Sequence, residues 1–272
     1  MSGAPVQRDC WTAFDRAAED WLVWQRTPWA RAYYALVQLH LATLEPAGQV
    51  WNVLDVGGAN GADSLPLLEA GHHVTIVDAS SVLLAEAVAA AERAGPGAGQ
   101  LRIEHRDLDD RRALPLPADA EGWDLVLCHN VLHYRDDAAE LVGRLVAATR
   151  PGGVLSLIAP NPAMDVLAAA VRDRDPRQGL EVLDAPSRRS VTVGEPMHRL
   201  ERADVEAAAR AEGAVVTEWY GLRVVIDLVA DDEVKEDPEW LRQALELEVA
   251  LSARDPYREV ARFWQLFCRR PG

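Results

Sequence analysis

The stretch VLDVGGANGADSLPLL, residues 53–68, reads as a buried strand that runs directly into Gly57 and Gly58, skips to Gly61, and carries an acid, Asp55, just before the glycines. A strand, a glycine turn and a helix bring backbone close to a ligand, and the helix start offers unpaired N–H groups and a positive dipole. Such a turn suits a pyrophosphate, and Gly57-x-Ala59-x-x-Ala62 is a degraded form of the dinucleotide fingerprint. Two features argue the other way. Asp55 is unwelcome beside a pyrophosphate but suits a cationic ligand or an ammonium group. The spacing Asp55-x-Gly57-x-Ala59-x-Gly61 also departs from the dinucleotide order.

Outward from this turn, apolar strand-like runs alternate with helical ones. HHVTIVDAS (72–80) reads as a second strand and SVLLAEAVAAAERAG (81–95) as a helix, followed by LRIEHRDL, WDLVLCHNVL, the helix DDAAELVGRLVAATR, the turn RPGG and the strand VLSLIAP (154–160). That alternation predicts crossover units and a parallel sheet with helices on both faces. Strands buried on both sides should be continuously apolar, as VTIV, DLVLC and VLSLI are. Beyond residue 160 the spacing predicts a loop-like EVLDAPSRRSVTVGEPMHRLE and a helix over 202–213. A long strand over 214–230, a helix over 240–252 and a last strand over 263–270 follow. Before the glycine turn lies an aromatic-rich helical segment, residues 14–44.

At 272 residues the chain suits one large α/β domain with a cap or insertion. No apolar run approaches the length of a membrane span, and the first 21 residues lack a basic region followed by an apolar core, so a cytoplasmic protein is expected. Cys10, Cys128 and Cys268 are far apart, which suggests neither a disulfide framework nor a structural zinc site. The net charge of −15 counts against broad nucleic-acid binding, which needs clustered positive charge. It leaves room for a local basic groove.

Asp55-Val56-Gly57-Gly58-Ala59-Asn60-Gly61 resembles motif I of the class I S-adenosylmethionine (SAM) methyltransferases, with Ala59 in place of the usual middle glycine. The resemblance implies a Rossmann-like fold: a seven-stranded, mostly parallel sheet with helices on both faces and an antiparallel last strand. It implies SAM as cofactor, with Asp55, Gly57, Gly58 and Gly61 around it. Asp78, 21 residues after Gly57, and the adjoining Ala79 fall where the family grips the ribose hydroxyls, and Asp107 with Leu108 where it meets the adenine. WDLVLCHNVLHY resembles the strand whose tip faces the methyl group, and Arg150-Pro151-Gly152-Gly153 the turn before the fifth strand. Over nearly the whole chain there is a narrower similarity, to the bacterial tRNA 5-carboxymethoxyuridine methyltransferases. It implies that Arg31 holds the SAM carboxylate. Where those enzymes carry lysines and an arginine after the fifth strand, this chain keeps only Arg188 and Arg189 in DAPSRRSVTV.

The expected organisation is a single domain over 1–272. Residues 1–50 form a helical cap, 51–160 the SAM-binding core, and 161–272 a substrate-side insertion with the C-terminal strands. The expected activity is methyl transfer to an oxygen, nitrogen or carboxylate of a small metabolite. The alternatives are carboxyl methylation of a tRNA wobble uridine and a non-catalytic SAM- or NAD-binding module; no membrane or metal partner is expected.

His129 and Tyr134 are the candidate catalytic positions, and His129 also stands at the SAM end of its strand. A carboxylate acceptor needs no base, whereas a phenol or amine would be helped by one, with His129 first in line. His129 and His133 stand four apart, but a metal would need further donors. Trp21, Trp24, Trp29, Tyr33 and Tyr34 suit either a lid or the buried face of an amphipathic helix, with Trp29 and Tyr33, beside Arg31, the better pocket candidates. The acidic run at 231–239 reads as a solvated loop and helix start.

Overall fold

The computed structural model describes residues 10–44, 48–95, 97–110, 114–118 and 121–272. The first nine residues, where a leader would begin, and the Cys10 side chain lie outside that description. Helices α1 (Cys10–Gln25) and α2 (Pro28–Ala42) come first, then strand β1 (Asn52–Val56), α3 (Leu65–Glu69), β2 (His73–Asp78), α4 (Ser81–Ala91), β3 (Leu101–His105) and β4 (Trp123–His129). After α5 (Ala138–Ala148) and β5 (Thr149–Pro160) comes an insertion, formed by α6 (Pro162–Leu167), α7 (Pro176–Leu183), β6 (Ser187–Arg189) and β7 (Pro196–His198). The chain closes with α8 (Arg202–Ala211), β8 (Val215–Leu222), α9 (Asp232–Glu236), α10 (Pro238–Leu251) and β9 (Phe263–Arg269).

Seven strands form one sheet in the order β3-β2-β1-β4-β5-β9-β8. All neighbours pair in parallel except β9, which runs antiparallel between β5 and β8. Both faces are covered, as the unbroken apolar strands require. Leu54 and Val56 of β1 pack with α5 and α8 through Leu141, Leu145 and Val205. Val53 faces the opposite core with Leu36 of α2, Leu67 of α3 and Leu84 of α4. The order reverses at β1 and β4, and ligands of open α/β sheets bind at the carboxyl ends of strands beside such a switch point.

Several expected elements differ. The helix after the glycine turn begins only at Leu65, because the backbone carbonyl of Gly61 is taken by the amides of Ser64 and Leu65 in a preceding turn. The strand expected over 214–230 stops at Leu222. Arg223 turns to φ +63°, and the amides of Val224, Val225 and Ile226 are captured by the Glu248 carboxylate instead of a neighbouring strand. The loop expected over 181–201 begins with the last residues of α7 and holds an antiparallel hairpin in which Arg188 pairs with Met197. Within the acidic run, Asp231 caps α9 and Asp237 caps α10, while Lys235 is buried over the Trp29 ring, 5.1 Å from its centroid.

Candidate functional site

β1 delivers the chain into the glycine turn at the middle of the sheet. Gly57 sits at φ +71°, and a Cβ there would lie 2.3 Å from Val131 Cγ2 in the turn after β4. Gly58 packs directly on Asp55, where a Cβ would meet the carboxyl carbon at 2.4 Å. Ala59, at φ +49°, occupies the left-handed region with a side chain, a conformation that costs about 1 kcal/mol. Its amide donates to Asp78 Oδ2 at 2.9 Å, and the Ser80 amide donates to Oδ1 at 2.7 Å. Asp78 is thereby oriented by two fixed backbone donors. Burial raises its carboxyl above the usual range, against the opposing pull of those amides.

Asp55 is buried, and burial pushes its carboxyl up to about 7, with Asp63 and Asp78 adding to the rise against the Ser64 hydroxyl and His129. Neither Asp55 Oδ2 nor Ser64 Oγ makes a hydrogen bond of ordinary geometry.

α1 is fastened over this end by contacts the sequence did not announce. The side-chain amides of Gln25 and Asn60 bond reciprocally at 2.8 and 3.0 Å, and Ser80 Oγ donates to Asp15 Oδ1 at 2.5 Å. The rings of Trp21 and Trp24 stack with centroids 4.9 Å apart.

A cavity of about 1100 Å³ opens at these strand tips. Gly57, Ala59, Asp78, Ala79 and Leu108 line it at one end, His129 and Tyr134 stand in its wall, and Trp21, Trp24 and Trp29 also line it. Asp55, Gly58 and Gly61 are absent from the lining and support the turn from behind. Asp107 is likewise absent; its Oδ1 accepts the Asp109 amide at 2.7 Å and shapes the loop that presents Leu108. Arg31 is exposed on α2 and does not line the cavity. Tyr33 is not a pocket residue: its ring packs edge-on against Phe263 in the core, and its hydroxyl accepts from Asn130 Nδ2 at 2.9 Å.

His129 is buried at the end of β4 with both ring nitrogens engaged, Nδ1 with Asp63 Oδ2 at 3.0 Å and Nε2 with Ser156 Oγ at 2.8 Å. Tyr134 meets Phe14 edge-on at 5.3 Å; burial raises its hydroxyl, opposed by Ser190 and Arg188. His133 is buried with Nδ1 unpartnered. Among the described residues, no group of three or more His, Cys, Asp or Glu side chains is placed to hold a metal ion, and no helix is long and apolar enough to cross a membrane. Cys128 and Cys268 are buried free thiols.

Residues 54–155 match the family described as Methyltransferase domain. The tRNA 5-carboxymethoxyuridine methyltransferase of Escherichia coli K12 is 28% identical over 233 residues, covering 85% of this chain and 84% of the relative. Among solved structures, an S-adenosylmethionine-dependent methyltransferase from Mesorhizobium loti superposes with a TM-score of 0.56 at 23% identity, covering 85% of this chain and 96% of that one. Magnesium protoporphyrin IX methyltransferase from Synechocystis, solved with S-adenosylhomocysteine (SAH) bound, gives a TM-score of 0.62 at 17% identity, with 95% and 97% covered. The chain is a class I S-adenosylmethionine-dependent methyltransferase, and SAM is its cofactor. The site fits that cofactor: Asp78 lines the cavity with its carboxylate oriented by two backbone amides, as a vicinal diol requires, and the neighbouring lining residues Gly57, Ala59 and Ala79 carry no cation to hold a pyrophosphate.

Proposed function

We propose that the enzyme methylates a small-molecule acceptor held in the same cavity, beyond the cofactor. The observation that carries this reading is the direction of Arg188 and Arg189, the residues that would line a positive groove for tRNA. Both line the cavity, Arg188 bonded to Asp165 Oδ2 at 2.8 Å and Arg189 to the Gly194 carbonyl at 2.8 Å. A net charge of −15 adds a general repulsion of polyanions. The cavity, at about 1100 Å³, reaches the upper end of ordinary ligand sites, which suits a cofactor with a small acceptor.

SAM supplies, when bound, a methyl carbon activated by a sulfonium sulfur. In this reading Gly57, Gly58 and Gly61 let the backbone approach the cofactor, and Asp55, packed behind Gly58, holds the turn in shape. Asp78 with Ala79 holds the ribose, and Leu108, set by Asp107, covers the base. Arg31, exposed on its helix, is assigned no role. His129 and Tyr134 shape the wall against which the acceptor lies, so that the nucleophile is aligned and water excluded. With both nitrogens occupied, His129 orients and does not act as a free base. The cap (1–50), core (51–160) and substrate side (161–272) work as one domain, in the cytoplasm.

The similarity to the E. coli enzyme over 85% of the chain favours a second reading, carboxyl methylation of a tRNA wobble uridine. The two separate when purified protein is incubated with methyl-labelled SAM and either deproteinised small molecules or total tRNA. Label is expected in the small-molecule fraction; nuclease-sensitive label in tRNA would overturn the first reading.

A further inference from the structure

Three arginines and two aspartates form a continuous ladder along the cavity wall. Arg188 of β6 donates through Nε to Asp165 Oδ2 at 2.8 Å, and Arg262 donates through Nη1 to Asp165 Oδ1 at 2.8 Å. Arg262 Nε reaches Asp227 Oδ1 at 3.1 Å, and Arg223 grips both oxygens of Asp227 at 2.6 Å. All five residues line the cavity. The ladder is built at a cost, since Arg223 and Asp227 are buried and Arg223 holds a left-handed backbone. Burial would raise the Asp227 carboxyl, but Arg223 and Arg262 overcome it and hold the group below its usual range.

Counted by sign, the three guanidiniums and two carboxylates of the ladder leave one positive charge, while elsewhere in the lining Asp109, Asp136 and Asp137 outnumber Arg135. Arg172 with Asp173, and Arg189 with Glu195, add equal numbers of each sign to the same wall. Arg188 ends the ladder, with no hydrogen bond from either terminal nitrogen to the described residues. A second feature reports the same field. His133, buried in the adjoining wall with Nδ1 unpartnered, is pushed down to about 3 by burial and by the charges of Arg188 and His198. Tyr134 supplies an aromatic surface beside it.

From this arrangement we propose that the Arg188 end of the ladder is an anion subsite, where an aromatic carboxylic acid is anchored by its carboxylate while a different atom of the same molecule receives the methyl group. The guanidinium fork of Arg188 matches a carboxylate through two parallel hydrogen bonds. Asp165, Arg262 and Asp227 hold that fork in place. The subsite deepens the small-acceptor reading and rests on it.

The test is titration calorimetry on the full chain loaded with SAH, using matched acid and amide probes: benzoate with benzamide, salicylate with salicylamide, and cinnamate with cinnamamide. At least one acid should bind about tenfold or more tightly than its amide. Arg188→Gln should bring that pair within about twofold and Arg188→Lys should keep part of the preference, with SAH affinity unchanged in both. The lysine variant and melting curves separate loss of charge from loss of fold. Equal binding of acids and amides, no binding of any acid, or a preference that survives Arg188→Gln overturns the subsite. Failure of the wild-type protein to bind SAH would instead sink the methyltransferase reading, and the subsite with it.

Discussion

Asp63 Oδ2 lies 3.0 Å from His129 Nδ1, so the imidazole in the cavity wall is anchored from behind by a carboxylate. A carboxylate accepts, which puts a proton on Nδ1, and Nε2 lies 2.8 Å from the Ser156 hydroxyl. Ser156 Oγ accepts in turn from Gln265 Nε2 at 3.1 Å, and Gln265 Oε1 lies 2.8 Å from His40 Nδ1. Burial lowers His40 to about 4, so it is neutral at pH 7 and donates to that oxygen. The acid, histidine and serine have the connectivity of a nucleophile triad, but Ser156 is 0% exposed. The chain locks a ring in place and attacks nothing.

Ser156→Ala leaves His129 Nε2 and the Gln265 amide without a partner inside the protein, at a cost of about 1–3 kcal/mol. Urea unfolding should show that loss. Methyl transfer should fall through kcat, with little change in SAM affinity; an unchanged stability would show that the chain is not continuous.

Asp55 makes the protein's stability depend on pH. Its folded pKa, about 7, is raised above the unfolded value of 3.8, so the folded state holds the proton more tightly. Its contribution therefore favours folding at low pH and is lost as pH rises from about 4 to about 7, by at most about 4 kcal/mol. Asp55→Asn should flatten that fall in urea denaturation at a series of pH values. Wild type and variant with parallel curves would place the group in a more polar setting.

Glu248 tests the support behind the ladder. It is fully buried on α10, and its carboxylate accepts from Val224 at 2.6 Å, Val225 at 2.8 Å and Ile226 at 2.9 Å. Glu248→Gln sets an N–H group against one or more of these amides and should cost about 1–3 kcal/mol. With Arg223 loosened, the acceptor KM should rise while SAM affinity holds. A parallel loss of SAM affinity would mean the turn supports the cofactor end instead.

The central sheet was legible because its strands are buried on both faces and read as unbroken apolar runs. The glycine turn at Gly57 and the position of Asp78 at the end of β2 were legible as structure, because a tight turn and an acid at a strand tip leave a local signature. What escaped was set by partners distant in sequence. The break after Leu222 depends on Glu248, and nothing in GLRVVIDLVA itself forbids a strand. The hairpin has three residues in each strand, too few for alternation to show. The clamp of α1 joins Gln25 to Asn60, and the ladder draws arginines from three separate segments.

The most direct test of the cofactor site is SAM binding by titration calorimetry to wild type and Asp78→Asn. Two backbone amides aim Asp78 at the cavity, and each charged hydrogen bond it makes to a ligand is worth about 1.5–3 kcal/mol. The wild-type chain should bind SAM at one site, and Asp78→Asn should weaken it by about tenfold to a hundredfold. Because the new side-chain N–H also faces the Ala59 or Ser80 amide at a cost of about 1–3 kcal/mol, affinities are compared at a temperature where melting curves show both proteins folded. Equal affinity in the two proteins would contradict the placement of the cofactor at the β1 and β2 tips.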